Sequence, residues 1–173
     1  MTDTSLPRAE FAFPGLLRDA LIASILSGAK TTTTSLLVEY AVESEELPAA
    51  GRRQAVIDSM DQPVAVIETV QVDQVCLDQV PLAHVIDEGE GHTSVAQWRA
   101  GHEQYWHGVE MRTYLADPAF TVRDNTVVIL ERFRLVSQEG RFCGKTHRQT
   151  CLASRSADER GGDDECLDQQ EAP

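Results

Sequence analysis

The spacing of apolar and polar positions divides the first 137 residues into alternating helices and strands. Leu17, Ala20, Leu21, Ser24 and Ile25 recur at helical spacing. They lie between Pro14, which suits a first helical position, and Gly28, which suits a helix end. A helix is expected from about 14 to 27, closed by Gly28 in a left-handed turn. The hydroxyl run 31–35 follows as an extended segment, and Leu36, Leu37 and Tyr40 mark a short helical turn. An acidic loop over 43–51 leads to a strand over 54–58 and a hairpin turn over 59–62. Along 63–76, Val64, Val66, Glu68, Val70 and Val72 alternate with Ala65, Ile67, Thr69 and Gln71. That is strand periodicity, over a length that suggests a strand bending around a barrel.

A short helix is expected over 81–87, then the turn Glu88-Gly89-Glu90-Gly91-His92. A second long helix starts at 93 or 94, with Val95, Trp98, Tyr105, Trp106 and Val109 as its apolar stripe and His102 on the same face. The final strand, 126–136, is built on Val127, Val128, Ile129 and Leu130 and continues through Glu131, Arg132, Phe133 and Arg134. Residues 1–12 read as an arm without a core of its own, and 138–173, polar and poor in large apolar groups, as a disordered acidic tail. The expected fold is α+β: a small curved β-barrel over 13–137, flanked by helices.

Composition narrows the function. The chain has 173 residues, 42% of them hydrophobic and 25% charged, as in a soluble protein with one domain. No apolar run approaches the length of a membrane helix, so no membrane partner and a cytoplasmic location are expected. Cys76, Cys143, Cys151 and Cys166 show no tight spacing, which speaks against a disulfide framework. The formal net charge is −13. The first 137 residues carry 20 acids against 10 bases, so the acidity belongs to the body as well as the tail. Grip on a long duplex draws on basic clusters, and none here is denser than Arg52-Arg53. A nucleotide, a nucleoside or another small polar ligand fits that balance better.

The candidate chemistry centres on Lys30. It is the only lysine among the first 137 residues, where the other bases are arginines. Unlike arginine, a lysine can be neutralised by burial, and this one stands beside Thr31, Thr32, Thr33, Thr34 and Ser35. A lysine within reach of a hydroxyl is the minimum for a Ser/Thr-Lys nucleophilic site, and equally a corner for a phosphate or carboxylate. Against these stands a structural reading: threonines favour strands, and a helix C-terminus favours a lysine. On a regular strand Lys30 and Thr33 would face opposite ways, so they meet only if Lys30 lies in the turn and the strand starts later. Glu68, an acid among valines, is either directed at a ligand or paired with an arginine such as Arg132. His102 reads as a buried, hydrogen-bonded histidine, and Trp98, Tyr105 and Trp106 as core. Cys143, His147 and Cys151 lack a CxxC pair, and no metal or cofactor is expected.

Gly28-Ala29-Lys30 followed by 31–35 resembles the GxKxxT signature of the ASCH family, a branch of the PUA-like superfamily of small β-barrels. Leu36-Leu37-Val38-Glu39-Tyr40, the strand from Pro63 to Thr69, Glu88-Gly89-Glu90-Gly91 with Trp98, and Glu131-Arg132-Phe133 extend the resemblance in the order of its larger bacterial members. The resemblance implies binding of RNA, a nucleotide or a modified nucleoside. It also implies two possible activities, an amidohydrolase acting on N4-acetylcytidine through threonine, lysine and glutamate, and a ribonuclease. By motif the lysine is Lys30 and the threonine Thr33. The glutamate falls in the acidic turn, where Glu88 matches better than Glu90. Thr31, Ser35, Glu68, Glu90 and Arg132 are the expected ligand-binding residues. The expected partner is a nucleotide, a modified nucleoside or short single-stranded RNA. A reading of another class is a non-enzymatic acidic adaptor that binds a protein through its tail.

Overall fold

The computed structural model describes residues 6–138. The expectations for the tail, including Cys143, His147 and Cys151, lie outside those residues. Five strands form one sheet in the order β1-β3-β4-β5-β2: β1 Arg8–Ala9, β2 Thr32–Leu36, β3 Arg53–Ile57, β4 Pro63–Cys76 and β5 Val127–Gln138. Neighbours are antiparallel except for the parallel pair β1–β3. The sheet does not close into the expected barrel, because β1 and β2 lie at its opposite edges without pairing. The outer side of β2 is covered instead by α3, Leu82–Asp87: Thr31 donates its backbone N–H to the Asp87 carbonyl, and Thr32 its hydroxyl to that of His84. Such cover satisfies an edge as pairing would. The long strand does bend, with irregular pairing at Val66/Ile67 and Thr69/Gln71.

The first helix, α1, runs Leu16–Ser27 and ends on Gly28 at φ +79°, a backbone that favours glycine. Lys30 lies beyond it, its N–H on the Ser24 carbonyl, and β2 begins only at Thr32. The turn that Lys30 needs is therefore present. Part of the expected arm belongs to the fold: β1 pairs with β3, and Ala9 and Phe11 are buried against Ile25, Val56, Ile67 and Phe133. A two-residue strand leaves almost no periodicity to read.

The second apolar cluster joins the far end of the sheet to α4, Val95–Trp106, and α5, Val109–Tyr114. Ser94 caps α4 by accepting the Gln97 N–H. Trp98 and Trp106 are fully buried, each removing area worth about 4–6 kcal/mol of transfer free energy. The helix stops at His107-Gly108, and Val109, expected on its inner stripe, opens a separate helix and is exposed. Among the described residues no helix is long and apolar enough to cross a membrane.

Candidate functional site

A cavity of about 640 Å³ opens between β2, β5, α2 (Leu37–Glu43), α4 and the chain before α1. The two faces of β2 have separate jobs. On one, Thr32 and Thr34 point toward α3; on the other, Thr33 and Ser35 stand opposite Glu131 and Ile129 of β5. Thr33, Ser35, Lys30, Glu90 and Glu131 all line the cavity, and Thr34 borders it too although its hydroxyl is turned to Glu88 and His84.

Lys30 is only 2% exposed. Its Nζ donates to Glu90 Oε1 at 2.8 Å and to the Glu88 backbone carbonyl at 3.3 Å. Glu90 and the Glu88 carbonyl thus take two of the hydrogen bonds the Lys30 amine can donate, and Glu90 stands as its ion-pair partner. Gly89 allows this approach: at φ +67° it lies so close that a Cβ there would overlap the Ala29 carbonyl and stand 2.7 Å from Lys30 N.

Glu88, the better motif match, is not among the residues that line the cavity. It is fully buried, and its carboxylate is absorbed by donors: Thr34 Oγ1 at 2.6 Å, Trp98 Nε1 at 2.7 Å and His84, whose Nε2 is 3.3 Å from Oε1. Burial alone raises this carboxyl, but the His84 hydrogen bond, the charges of Lys30 and His102 and the Thr34 hydroxyl hold it down to about 2. Glu88 thus ties α3, β2 and α4 together beneath the acidic turn, and Glu90 is the carboxylate at the Lys30 ammonium. His102 aims Nδ1 at the Trp98 carbonyl, 3.1 Å away, and burial lowers its pKa below the ordinary imidazole value, against the pull of Glu88.

Three other expected site residues lie off the cavity wall. Glu68 is clamped by Arg53 at 2.8 Å and Arg134 at 2.6 Å. Arg132 pairs with Asp87 at 2.7 Å, and Thr31 contacts the Asp87 carbonyl. Inward on β4 stand Ala65, Ile67 and Thr69, and Val70 is exposed beside the Thr69/Gln71 irregularity, so the valine alternation did not mark a ligand face at Glu68.

The wall holds groups the sequence reading did not single out. Glu39 of α2 accepts the Leu36 N–H at 2.7 Å; burial, opposed by that bond and aided by Glu43, pushes its carboxyl up to about 7. Tyr40 shares a 2.8 Å hydrogen bond with Ser35, and burial pushes its phenol up to about 12. Burial likewise raises Glu131, against a hydrogen bond from Thr69 and the charge of Arg52. The signal was there for Glu131: with Ile129 and Phe133 it shares one alternating face of an apolar strand. Among the described residues no group of three His, Cys, Asp or Glu could hold a metal ion.

A family model described as the ASCH domain matches residues 10–137. The solved ASCH domain of Lactobacillus crispatus JV V101 is 26% identical with a TM-score of 0.66, over 78% of this chain and 82% of its own. A protein of Enterococcus faecalis V583 is 24% identical, also with a TM-score of 0.66, over 84% of this chain and 88% of its own, a likeness of fold alone. The curated proteins contain no match.

Proposed function

Given that the chain belongs to the ASCH domain family, we propose that its cavity binds a small uncharged ligand of the modified-nucleoside class, with a carbonyl of that ligand on Lys30. The supporting observation is the buried Lys30 ammonium at the cavity wall, held by Glu90 and the Glu88 carbonyl. About 640 Å³ is within the range of a small-molecule pocket. Glutamates outnumber cations on the wall, which favours donor-bearing groups such as ring N–H, amino and ribose hydroxyl over phosphate. Nucleotides, short RNA and ribonuclease chemistry fit that wall less well. The adaptor reading concerns a tail outside the described residues.

Titration calorimetry with cytidine, N4-acetylcytidine and cytidine 5′-monophosphate tests this. The two nucleosides are expected to bind, and the monophosphate at least tenfold more weakly at low salt. Tighter binding of the monophosphate would favour a phosphate site instead.

One observation favours a second reading, hydrolysis of an N-acyl amide on such a nucleoside. The Thr33 hydroxyl lines the same cavity and has no hydrogen-bond partner among the described residues. Thr34 is engaged by Glu88 and His84, so Thr33 is the hydroxyl available for attack. Lys30 then serves the carbonyl oxygen as charge develops on it.

A further inference from the structure

An attacking threonine must give up its proton, and the groups near Lys30 are poorly suited to take it. The Lys30 amine already donates to two acceptors, Glu90 is its ion-pair partner, and Glu88 is enclosed by three donors. We propose that Glu131 is the proton acceptor for Thr33, a catalytic carboxylate supplied by β5 rather than by the acidic turn. This inference rests on the amide-hydrolysis reading.

The sheet register carries it. Thr33 and Glu131 are directly paired residues of the antiparallel β2–β5 ladder, so their side chains leave the same face with Cβ atoms about 4.5–5.5 Å apart. Both line the cavity. Glu131 is only 9% exposed, and Thr69 donates to its Oε1. That bond fixes the carboxylate and leaves Oε2 without a hydrogen-bond partner among the described residues. Among the described residues no sealed polar side-chain atom lacks a hydrogen bond, so Oε2 and Thr33 Oγ1 are both open to the cavity or solvent. Burial keeps Glu131 more basic than an ordinary carboxylate, the direction a general base needs. The charged and titratable groups acting on it are Arg52, ahead of β3, and Tyr40 of α2.

The reaction balances. Thr33 Oγ bonds to the acyl carbon as its proton passes to Glu131, and the carbonyl electron pair moves to the oxygen beside Lys30. The adduct collapses, the C–N bond breaks, and the amine leaves with the proton from Glu131. Water then attacks the acyl-threonine, giving its proton to Glu131, which returns it to Thr33 as the carboxylic acid departs.

The test compares wild type with Glu131→Gln, which keeps an acceptor for Thr69, and melting curves establish that the variant is folded. Two readouts are taken across pH: mass addition at Thr33 with p-nitrophenyl acetate, and cytidine release from N4-acetylcytidine. The expected result is wild-type acylation at Thr33 that rises with pH as Glu131 deprotonates, and a loss of at least about 100-fold, with a flattened profile, in Glu131→Gln. Acylation of the folded variant within threefold of wild type, unchanged cytidine release by it, or no modification of Thr33 in wild type would overturn the assignment. Should wild-type Thr33 be acylated and the Glu131 dependence hold while N4-acetylcytidine is left intact, the amide-hydrolysis reading fails and Glu131 keeps its role.

Discussion

Glu88→Ala is expected to lower the melting temperature by about 10–20 °C. Glu88 is a fully buried carboxylate that accepts from Thr34 and Trp98 and pairs with His84, so truncation strands donors from β2, α4 and α3 at once. Removing one member of such a buried charged network costs about 3–5 kcal/mol, and for a domain of this size 1 kcal/mol moves the midpoint by about 3–5 °C. Glu88→Gln retains one acceptor and should lose less. The carboxyl also sets an acid limit. Its folded value, about 2, lies below the ordinary 4.5, so the ionised form is the one folding favours. The contribution, about 3 kcal/mol, is complete above pH 4.5 and is lost as pH falls toward 2. The gap in melting temperature between wild type and Glu88→Ala should therefore be clearly smaller at pH 3 than at pH 6. A gap equal at the two pH values would mean that the side chain acts through packing rather than charge.

Thr33→Val is expected to abolish cytidine release from N4-acetylcytidine, by at least about 1,000-fold, and to leave binding of that nucleoside within threefold of wild type. Valine keeps the branched shape that a strand prefers. No protein hydrogen bond is lost among the described residues, because the Thr33 hydroxyl makes none. Stability should therefore change by no more than about 0.5 kcal/mol. Chromatographic release assays and calorimetry on one preparation separate the two effects. Turnover that survives in Thr33→Val would remove the hydroxyl from the chemistry.

The contrast between Thr33 and Thr34 explains what could be read in the residues and what could not. Elements with a long regular pattern were legible in their extent, α1 closed by Gly28 and all of β4. The buried face of α1, however, is Arg18, Ile22 and Ile25 rather than the expected stripe, whose Leu17 and Ala20 are exposed. The lone lysine was legible as a candidate because one amine among arginines is a chemical anomaly. Its neighbours were not. Which threonine hydroxyl is left open at the cavity, and which is tied to α3 and Glu88, depends on how the residues of β2 alternate, and that is set by where the strand begins. Glu88 and Glu90 differ by one glycine in the sequence, yet one is sealed beneath α4 and the other meets Lys30. That exchange depends on Gly89 packing against the Ala29 carbonyl, a contact between segments far apart in the chain. Closure of the barrel failed as an expectation because strand length reports bending, whereas closure needs two edges in register.

The central claim is that Lys30 presents a fixed positive charge to a carbonyl of a nucleoside bound in this cavity. Titrating N4-acetylcytidine into Thr33→Val, and into the same protein carrying Lys30→Met, tests it without turnover. The account predicts saturable binding in the first and at least tenfold weaker binding in the second, the loss expected of a hydrogen bond to a charged group. Equal affinity in two folded proteins would contradict it.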